Sequence, residues 1–193
     1  ADEPAREANL VRAQAYVTEA VRPLRLFEHT IPRQGWVTKL IFSPNSRQLF
    51  SRAESIERDW GDARLWDLES GELLSLPAGI TRATAAAWSA DGSLLAIGDE
   101  FGRIVVVNAK SLEPVADIHV DGGDVIEIVF SPRADRLAIA VGNELSLWSL
   151  SDESKCLGRF EHPERIAGLR YSPTGDHISS LCSDAGARLF RIM

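Results

Sequence analysis

The stretch Val125-Ile126-Glu127-Ile128-Val129-Phe130-Ser131-Pro132 decides the fold, because it joins a run of strand-forming residues to a turn. β-Branched and aromatic residues favour strands, and proline favours the turn that follows. The combination of an aromatic residue, a serine and a turn occurs three more times, as Phe42-Ser43-Pro44, Trp88-Ser89-Ala90 and Tyr171-Ser172-Pro173. The four serines are 46, 42 and 41 residues apart, so most of the chain is a repeated unit.

A second short motif repeats with nearly the same spacing as the first one. It reads Trp66-Asp67-Leu68, Val107-Asn108-Ala109, Trp148-Ser149-Leu150 and Phe190-Arg191-Ile192, with spacings of 41, 41 and 42 residues. A period of about 40–45 residues is typical of the blades of a β-propeller. The sequence therefore predicts an all-β fold with four blades.

The third repeat shows how one blade is built. After the first strand, Val125–Phe130, three more strands are predicted at Leu137–Val141, Glu144–Trp148 and Lys155–Phe160. Four short antiparallel strands joined by tight turns make one blade. We place the blades at about residues 30–78, 79–119, 120–160 and 161–193. The first repeat has about five extra residues near Trp60, which predict an enlarged loop between its second and third strands.

Residues 1–23 differ from the rest and are predicted to form a helix and linker. Residues 5–22 are rich in alanine and lack glycine and proline, and their apolar residues recur at helical spacing. Pro23 ends the pattern, because proline has no N–H to continue a helix. The helix is interpreted either as the end of an upstream domain or as a lid on the propeller.

The two ends of the repeat region complement each other. Residues 24–29 resemble the outer strand of a blade but follow no blade, while the last repeat has no fourth strand. We expect residues 24–29 to be the closing outer strand. Three outcomes fit: a four-blade ring, an eight-blade ring made by two chains, or a part of a larger propeller. We favour the last two, and we do not expect an open monomer, because an open half-ring exposes apolar faces.

Composition excludes several kinds of partner. Of the 193 residues, 45% are hydrophobic and 25% are charged, as in ordinary soluble domains. The net charge of −7, without a run of basic residues, argues against nucleic acid and acidic membranes. No apolar stretch is long enough to span a membrane. Cys156 and Cys182 do not make a disulfide framework, so we expect free thiols in a reducing, cytoplasmic compartment.

No motif of an enzyme is present in the sequence, which has no phosphate-binding loop, His-Glu-x-x-His, paired Cys-x-x-Cys or Gly-x-Ser-x-Gly. Residues 121–124, Asp-Gly-Gly-Asp, are interpreted as a turn between blades. His29, His119 and His162 fall in different repeats and are not expected to converge on a metal. The inner strands read as mostly apolar, which disfavours a catalytic site in the central channel. We expect no catalytic residue, metal or cofactor.

The repeats resemble those of the WD-repeat (WD40) β-propeller family. Trp66-Asp67 matches its namesake dipeptide, and the pattern from Val37 to Pro44 matches its first strand and turn. The resemblance covers residues 24–193 and implies a non-enzymatic protein-interaction or scaffolding module. The repeats are also similar to degenerate bacterial ones found beside kinase or nucleotide-hydrolase domains. That similarity leaves open an alternative, a sensor that regulates an adjacent catalytic domain.

The family's pattern adds a buried network of His, Ser or Thr, Asp and Trp, and this sequence departs from it. The second and fourth repeats lack the Trp, and only Asp62 fits the turn Asp ahead of a Trp. We therefore expect the network to be absent from most blades, with packing providing more of the stability. Trp66, Trp88 and Trp148 are predicted to be packing residues.

Two sets of residues are candidates for binding a protein partner. Aligning the repeats on their aromatic residues places one residue of each blade just before the innermost strand: Trp36, Arg82, Asp124 and Arg165. The resemblance to the WD-repeat family implies that this position faces one mouth of the ring. The second set, Arg58 and Trp60, lies on the enlarged loop. Trp and Arg are favoured anchors at interfaces.

Overall fold

A computed structural model describes residues 35–55, 62–80, 82–151, 154–183 and 186–192. Within these ranges the chain forms four antiparallel sheets and no helix. The predicted helix over residues 5–22, the closing strand at 24–29, Arg58 and Trp60 lie outside the described residues. The all-β architecture predicted from the repeats is confirmed.

Each sheet is one blade, and its strands follow one another in chain order. Blade 1 contains β1 (Gly35–Phe42), β2 (Gln48–Ser55), β3 (Asp62–Asp67) and β4 (Leu73–Leu74). Blade 2 contains β5 (Ala83–Trp88), β6 (Leu94–Asp99), β7 (Arg103–Asn108) and β8 (Pro114–His119). Blade 3 contains β9 (Val125–Phe130), β10 (Arg136–Val141), β11 (Glu144–Ser149) and β12 (Cys156–Glu161). Blade 4 has three described strands, β13 (Ile166–Tyr171), β14 (His177–Cys182) and β15 (Ala187–Arg191).

The repeated serine holds the turn between the first two strands of every blade. In blade 3 the hydroxyl of Ser131 accepts a hydrogen bond from the backbone N–H of Arg136 at 3.1 Å and donates one to Asp135 at 2.7 Å. The same backbone bond closes the other three turns, with donors five residues after Ser43, Ser89 and Ser172. In each turn a short hydroxyl thus pairs with a backbone N–H close to the end of the strand ladder.

The core lies between the blades, in three apolar clusters at the three joints. At the joint of blades 2 and 3, Ile104 and Val106 on β7 belong to the same cluster as Leu137 and Ile139 on β10. Gly98 on β6 marks the closest approach, since a Cβ added there would lie 2.7 Å from a methyl of Val125. Blades 2 and 3 are thus packed on both faces.

The expectation was that most blades lack the buried polar network, and the structure retains one pair of its side chains in blade 1 and another in blade 4. The Ser or Thr of the network belongs at one position on the second strand of each blade. Ser51 occupies this position in blade 1 and Ser180 occupies it in blade 4. Ser51 accepts from the indole of Trp66 at 2.9 Å, and Ser180 lies 2.8 Å from Nε2 of the buried His162. In blades 2 and 3 the position holds Ile97 and Ile139, both fully buried. Packing therefore replaces hydrogen bonding there.

Two of the three predicted packing tryptophans are buried. Trp66 and Trp88 belong to the core, whereas Trp148 is half-buried against the cluster between blades 2 and 3. The indole of Trp148 donates to Ser146 on its own strand at 3.0 Å. His119 is exposed and lies 3.5 Å from Asp121. The position that corresponds to the buried His162 is held by Val120, whose N–H donates to the carbonyl of Gly102 as that of His162 donates to the carbonyl of Asn143.

Candidate interaction surfaces

The inner strands β5, β9 and β13 begin at one end of the blades, which we call the strand-start face. Arg82, Asp124 and Arg165 each immediately precede one of these strands, as the alignment of repeats predicted. Trp36 belongs to β1, and its side chain lies outside the described part of the chain. The face is therefore known from three of its four predicted residues.

Asp124 and Arg165 form an ion pair that joins blades 3 and 4. The guanidinium contacts both carboxylate oxygens, at 2.7 and 3.4 Å. Both side chains are exposed, so solvent screens the pair and it adds little to stability. Such a pair can be exchanged for a partner's charge at small cost.

Arg82 does not join this pair but binds within its own blade. Its guanidinium lies 2.6 Å from Glu100, in the turn between β6 and β7. Its backbone has a φ of 51°, in the left-handed region that residues other than glycine seldom adopt. The residue just before the inner strand therefore has a different backbone conformation in blade 2 from that in blades 3 and 4. The alignment of the repeats did not predict this difference.

A charged network lies on the inner strands, and the expectation that these strands are mostly apolar was incomplete. The carboxylate of Glu127 on β9 is 3.9 Å from Nζ of Lys39 on β1 and 3.4 Å from Nη1 of Arg170 on β13. These contacts connect blades 1, 3 and 4. Lys39 and Glu127 share one position in the aligned repeats, three residues before the aromatic, and that shared position was the available signal.

The opposite ends of the inner strands form an open groove across blades 2, 3 and 4. This strand-end groove has a volume of about 370 Å³ and is lined by the repeated aromatics Trp88, Phe130 and Tyr171 and by Arg170. Burial raises the pKa of the Tyr171 phenol to about 12. The phenol oxygen and the indole nitrogen of Trp88 are buried, and neither has a hydrogen-bond partner in the described part of the chain.

The outward face of blade 1 is apolar and exposed. Leu40 and Phe42 on β1 are 61% and 63% exposed, whereas the equivalent residues of blade 3, Ile128 and Phe130, are 1% and 9% exposed. In blade 3 the preceding blade covers these positions. Leu40 and Phe42 therefore form a joint surface without its neighbour.

The outward face of blade 4 has the same character. Leu189 on β15 is 71% exposed, while its equivalents Leu65, Val106 and Leu147 are 0%, 0% and 6% exposed. Leu181 on β14 is also exposed. We call this surface and that of blade 1 the terminal faces.

Among the described residues no group of three or more His, Cys, Asp and Glu side chains is arranged to hold a metal ion. Residues 121–124 form the loop between β8 and β9, where Gly122 and Gly123 both have positive φ. The described residues also contain no helix long and apolar enough to cross a membrane.

Comparison with known proteins supports the fold. No protein-family model and no curated protein matches the sequence. A chain in the crystal structure of the Mitotic Checkpoint Complex is similar in structure, with a TM-score of 0.67 and 23% sequence identity. The similarity covers 81% of this chain and 49% of that chain.

The chain has a WD40-like β-propeller fold. It spans about half the length of the matched chain. In all, 1530 solved chains match, and a fold shared so widely does not by itself define a function. Function must be argued from the surfaces.

Proposed function

We propose that this chain is a non-enzymatic protein-interaction module, an arc of WD40-like blades that further blades complete into a ring. The two exposed terminal faces carry the proposal. A monomeric soluble protein seldom exposes large contiguous apolar surfaces, and those that it exposes mark interaction sites. Blade 1 and blade 4 expose residues whose equivalents form the core of every internal joint.

The residues of the terminal faces fit another blade better than any other kind of partner. At the internal joint of blades 3 and 4, Leu147 and Leu169 belong to one cluster. Their equivalents at the ends of the arc are Leu189 and Leu40. A blade 4 placed against a blade 1 would bring these two leucines together in the same way.

A second copy of the chain can supply the missing blades, giving eight blades with twofold symmetry. The alternative source is further blades of a longer protein. Both fit the similar structure, in which the similarity covers 49% of a chain whose crystal structure is that of a complex. We place the module in the cytoplasm, since Cys156 and Cys182 are both free thiols.

Partners would dock on the loops of the completed ring. We propose the strand-start face, with Arg82, Asp124 and Arg165, as one docking surface, together with Trp36, Arg58 and Trp60. Loops held by rigid blades are a common place for binding residues. The partner is a protein or another domain of the same protein.

Light scattering coupled to size exclusion tests the homodimer. The chain is expected at twice its monomer mass of 21.2 kDa, and Leu189→Glu is expected to restore the monomer. Val115→Glu is the matched control, because Val115 is exposed on the outer strand of blade 2. A double variant with Leu189→Lys and Leu40→Glu should dimerise again, since the new charges would face each other.

A monomer of 21.2 kDa for the unaltered chain would contradict the homodimer and leave a longer protein as the source of the blades. Dimers that persist in Leu189→Glu would show that the chains associate through another surface. In that case the terminal faces would not be joint surfaces, and the proposal would be wrong.

A further inference from the structure

We propose that the strand-end groove binds a short peptide segment in which a large apolar side chain lies next to a carboxylate. The groove lies where β5, β9 and β13 end, so three blades contribute to it. It is separate from the strand-start face, which lies at the other ends of these strands, and from both terminal faces.

The apolar part of the groove indicates that the ligand carries a large apolar side chain. It is lined by Phe130 and Trp88, which are largely buried, and by Pro132 and Pro173, which are exposed. A volume of about 370 Å³ is at the small end of the range for ligand sites, which runs from about 300 to 1,000 Å³. The groove can therefore hold one or two side chains of a peptide, and it is too small for the surface of a whole domain.

The charge of the groove indicates that the ligand also carries a carboxylate. Arg170 is the only charged residue among those that line the described groove, and its side chain is 73% exposed. Of its nitrogens, Nη1 donates to the carbonyl of Leu169 at 2.6 Å and lies 3.4 Å from Glu127. Arginine has five N–H donors in a fixed fork that matches a carboxylate. Nε and Nη2 make no hydrogen bond within the described ranges, so they are available to an anion.

The contacts of Glu127 leave the positive charge of Arg170 only partly neutralised. Its carboxylate lies between two cations, Arg170 and Lys39. The three side chains together carry one excess positive charge. An anionic ligand that contacts Arg170 would therefore not have to displace Glu127, because Lys39 continues to pair with it.

Two buried polar atoms that belong to residues lining the groove add a second observation. The indole nitrogen of Trp88 and the phenol oxygen of Tyr171 have no partner in the described part of the chain. A buried donor without a partner costs about 1–3 kcal/mol. A peptide backbone offers carbonyl oxygens that accept hydrogen bonds from such donors, whereas a purely apolar ligand offers none.

This inference rests on the proposed protein-interaction role but not on how the ring is completed. Leu189→Glu should abolish dimers and leave peptide binding unchanged. Arg170→Glu should weaken peptide binding and leave the mass of the assembly unchanged. The two proposals can therefore fail separately.

The test is fluorescence polarisation with a fluorescein-labelled peptide, Ser-Gly-Asp-Glu-Leu-Phe-Gly-Ser. Two control peptides replace Asp-Glu by Lys-Lys or Leu-Phe by Ala-Ala. We expect the first peptide to bind, and each control to bind at least about tenfold more weakly, since each loses one of the two contacts.

Variants of the protein locate the site. Arg170→Glu is expected to weaken binding at least about tenfold, because it turns an attraction for the carboxylate into a repulsion. Ala90→Trp, at an exposed position of the groove, should block it without entering the core. Arg133→Glu is the matched control, since Arg133 is exposed on the neighbouring turn of blade 3 and does not line the groove.

Three results would overturn the proposal. One is the absence of binding by the acidic apolar peptide. Another is equal binding by the variants Arg170→Glu and Arg133→Glu, which would show a general charge effect. The third is binding of vesicles with anionic lipids through Arg170 while the peptide does not compete, which would make the groove a lipid contact.

Discussion

The joint between blades 2 and 3 and the terminal faces are built from the same residue types, yet they differ completely in exposure. Phe130 in the joint is 9% exposed, and Phe42, at the same place in the repeat, is 63% exposed. The difference teaches that each blade carries two interface surfaces, whether or not a neighbour is present. In a repeat protein, stability is approximately a sum of the repeats and their neighbour contacts. Within the described ranges, blades 1 and 4 each have a neighbouring blade on one side only.

The largest expected difference between the two regions concerns one pair of leucines. Leu147→Ala in the joint of blades 3 and 4 should lower the free energy of unfolding by about 2–5 kcal/mol, because it leaves a cavity. Leu189→Ala, the equivalent change on the terminal face, should cost under about 0.5 kcal/mol in a monomeric chain. Urea unfolding at a protein concentration that keeps the chain monomeric measures both. Equal costs would show that the terminal face of blade 4 is covered within one chain.

The next prediction concerns the buried hydroxyl that blade 4 keeps at the position where the central blades have isoleucine. Ser180→Ala in blade 4 removes the partner of His162 Nε2 at a fully buried site. The expected loss is about 1–3 kcal/mol, since an unpaired polar atom remains in the core. Ser179→Ala is the control, because Ser179 is exposed on the same strand. A loss from Ser180→Ala no larger than that of the control would mean that the hydrogen bond adds nothing to blade 4.

Two glycines distinguish the close packing of the central joint from the open end of the arc. Gly98→Ala places a Cβ 2.7 Å from Val125 and should destabilise the chain by about 1–3 kcal/mol. Gly168→Ala in blade 4 meets only Leu181, at 4.0 Å, and should be neutral or slightly stabilising. Thermal unfolding of both variants checks the pair. Similar shifts in Tm would show that the Val125 side chain moves aside to accommodate the new Cβ, so that the packing at Gly98 is not limiting.

The parts of the fold that follow from the repeat could be predicted from the sequence. The aromatic residue, the serine and the turn recur at a regular spacing. The strands recognised in one repeat therefore predicted the positions of the strands in the other repeats. The pairing of Asp124 with Arg165 was not predicted, because the alignment gives the position of a residue and not the direction of its side chain. Arg82 occupies the same position with a left-handed backbone and binds Glu100 instead.

The charged network was missed for a different reason. Each of Lys39, Glu127 and Arg170 stands alone among apolar residues of its strand, which reads locally as a packed inner strand. The three lie in blades 1, 3 and 4, and the curvature of the arc brings them together. A local pattern cannot show a contact that depends on how several blades are arranged.

The smallest expected effect concerns the turn between the first two strands of a blade. The serine hydroxyl there donates to a carboxylate in blade 2 and to a side-chain amide in blade 1. In blade 2 the Ser89 hydroxyl donates to Asp91, and in blade 1 the Ser43 hydroxyl donates to the amide oxygen of Asn45. The hydrogen bonds from Ser89, and then those from Ser93, lower the pKa of Asp91 from 3.8 to about 2. The turn of blade 2 is therefore sensitive to acid, whereas that of blade 1 has no group that titrates there.

Asp91→Asn gives blade 2 the turn of blade 1 and tests this difference. A carboxylate whose pKa is lower in the folded state stabilises fully above its unfolded pKa, and this contribution is lost as pH falls through the folded value. The unaltered chain should therefore be slightly more stable than Asp91→Asn at pH 5, and the two should converge as pH falls from about 4 to 2. Urea unfolding across this range measures the gap. A gap that stays constant with pH would show that Asp91 acts only as a hydrogen-bond acceptor, which the amide of Asn45 already is in blade 1.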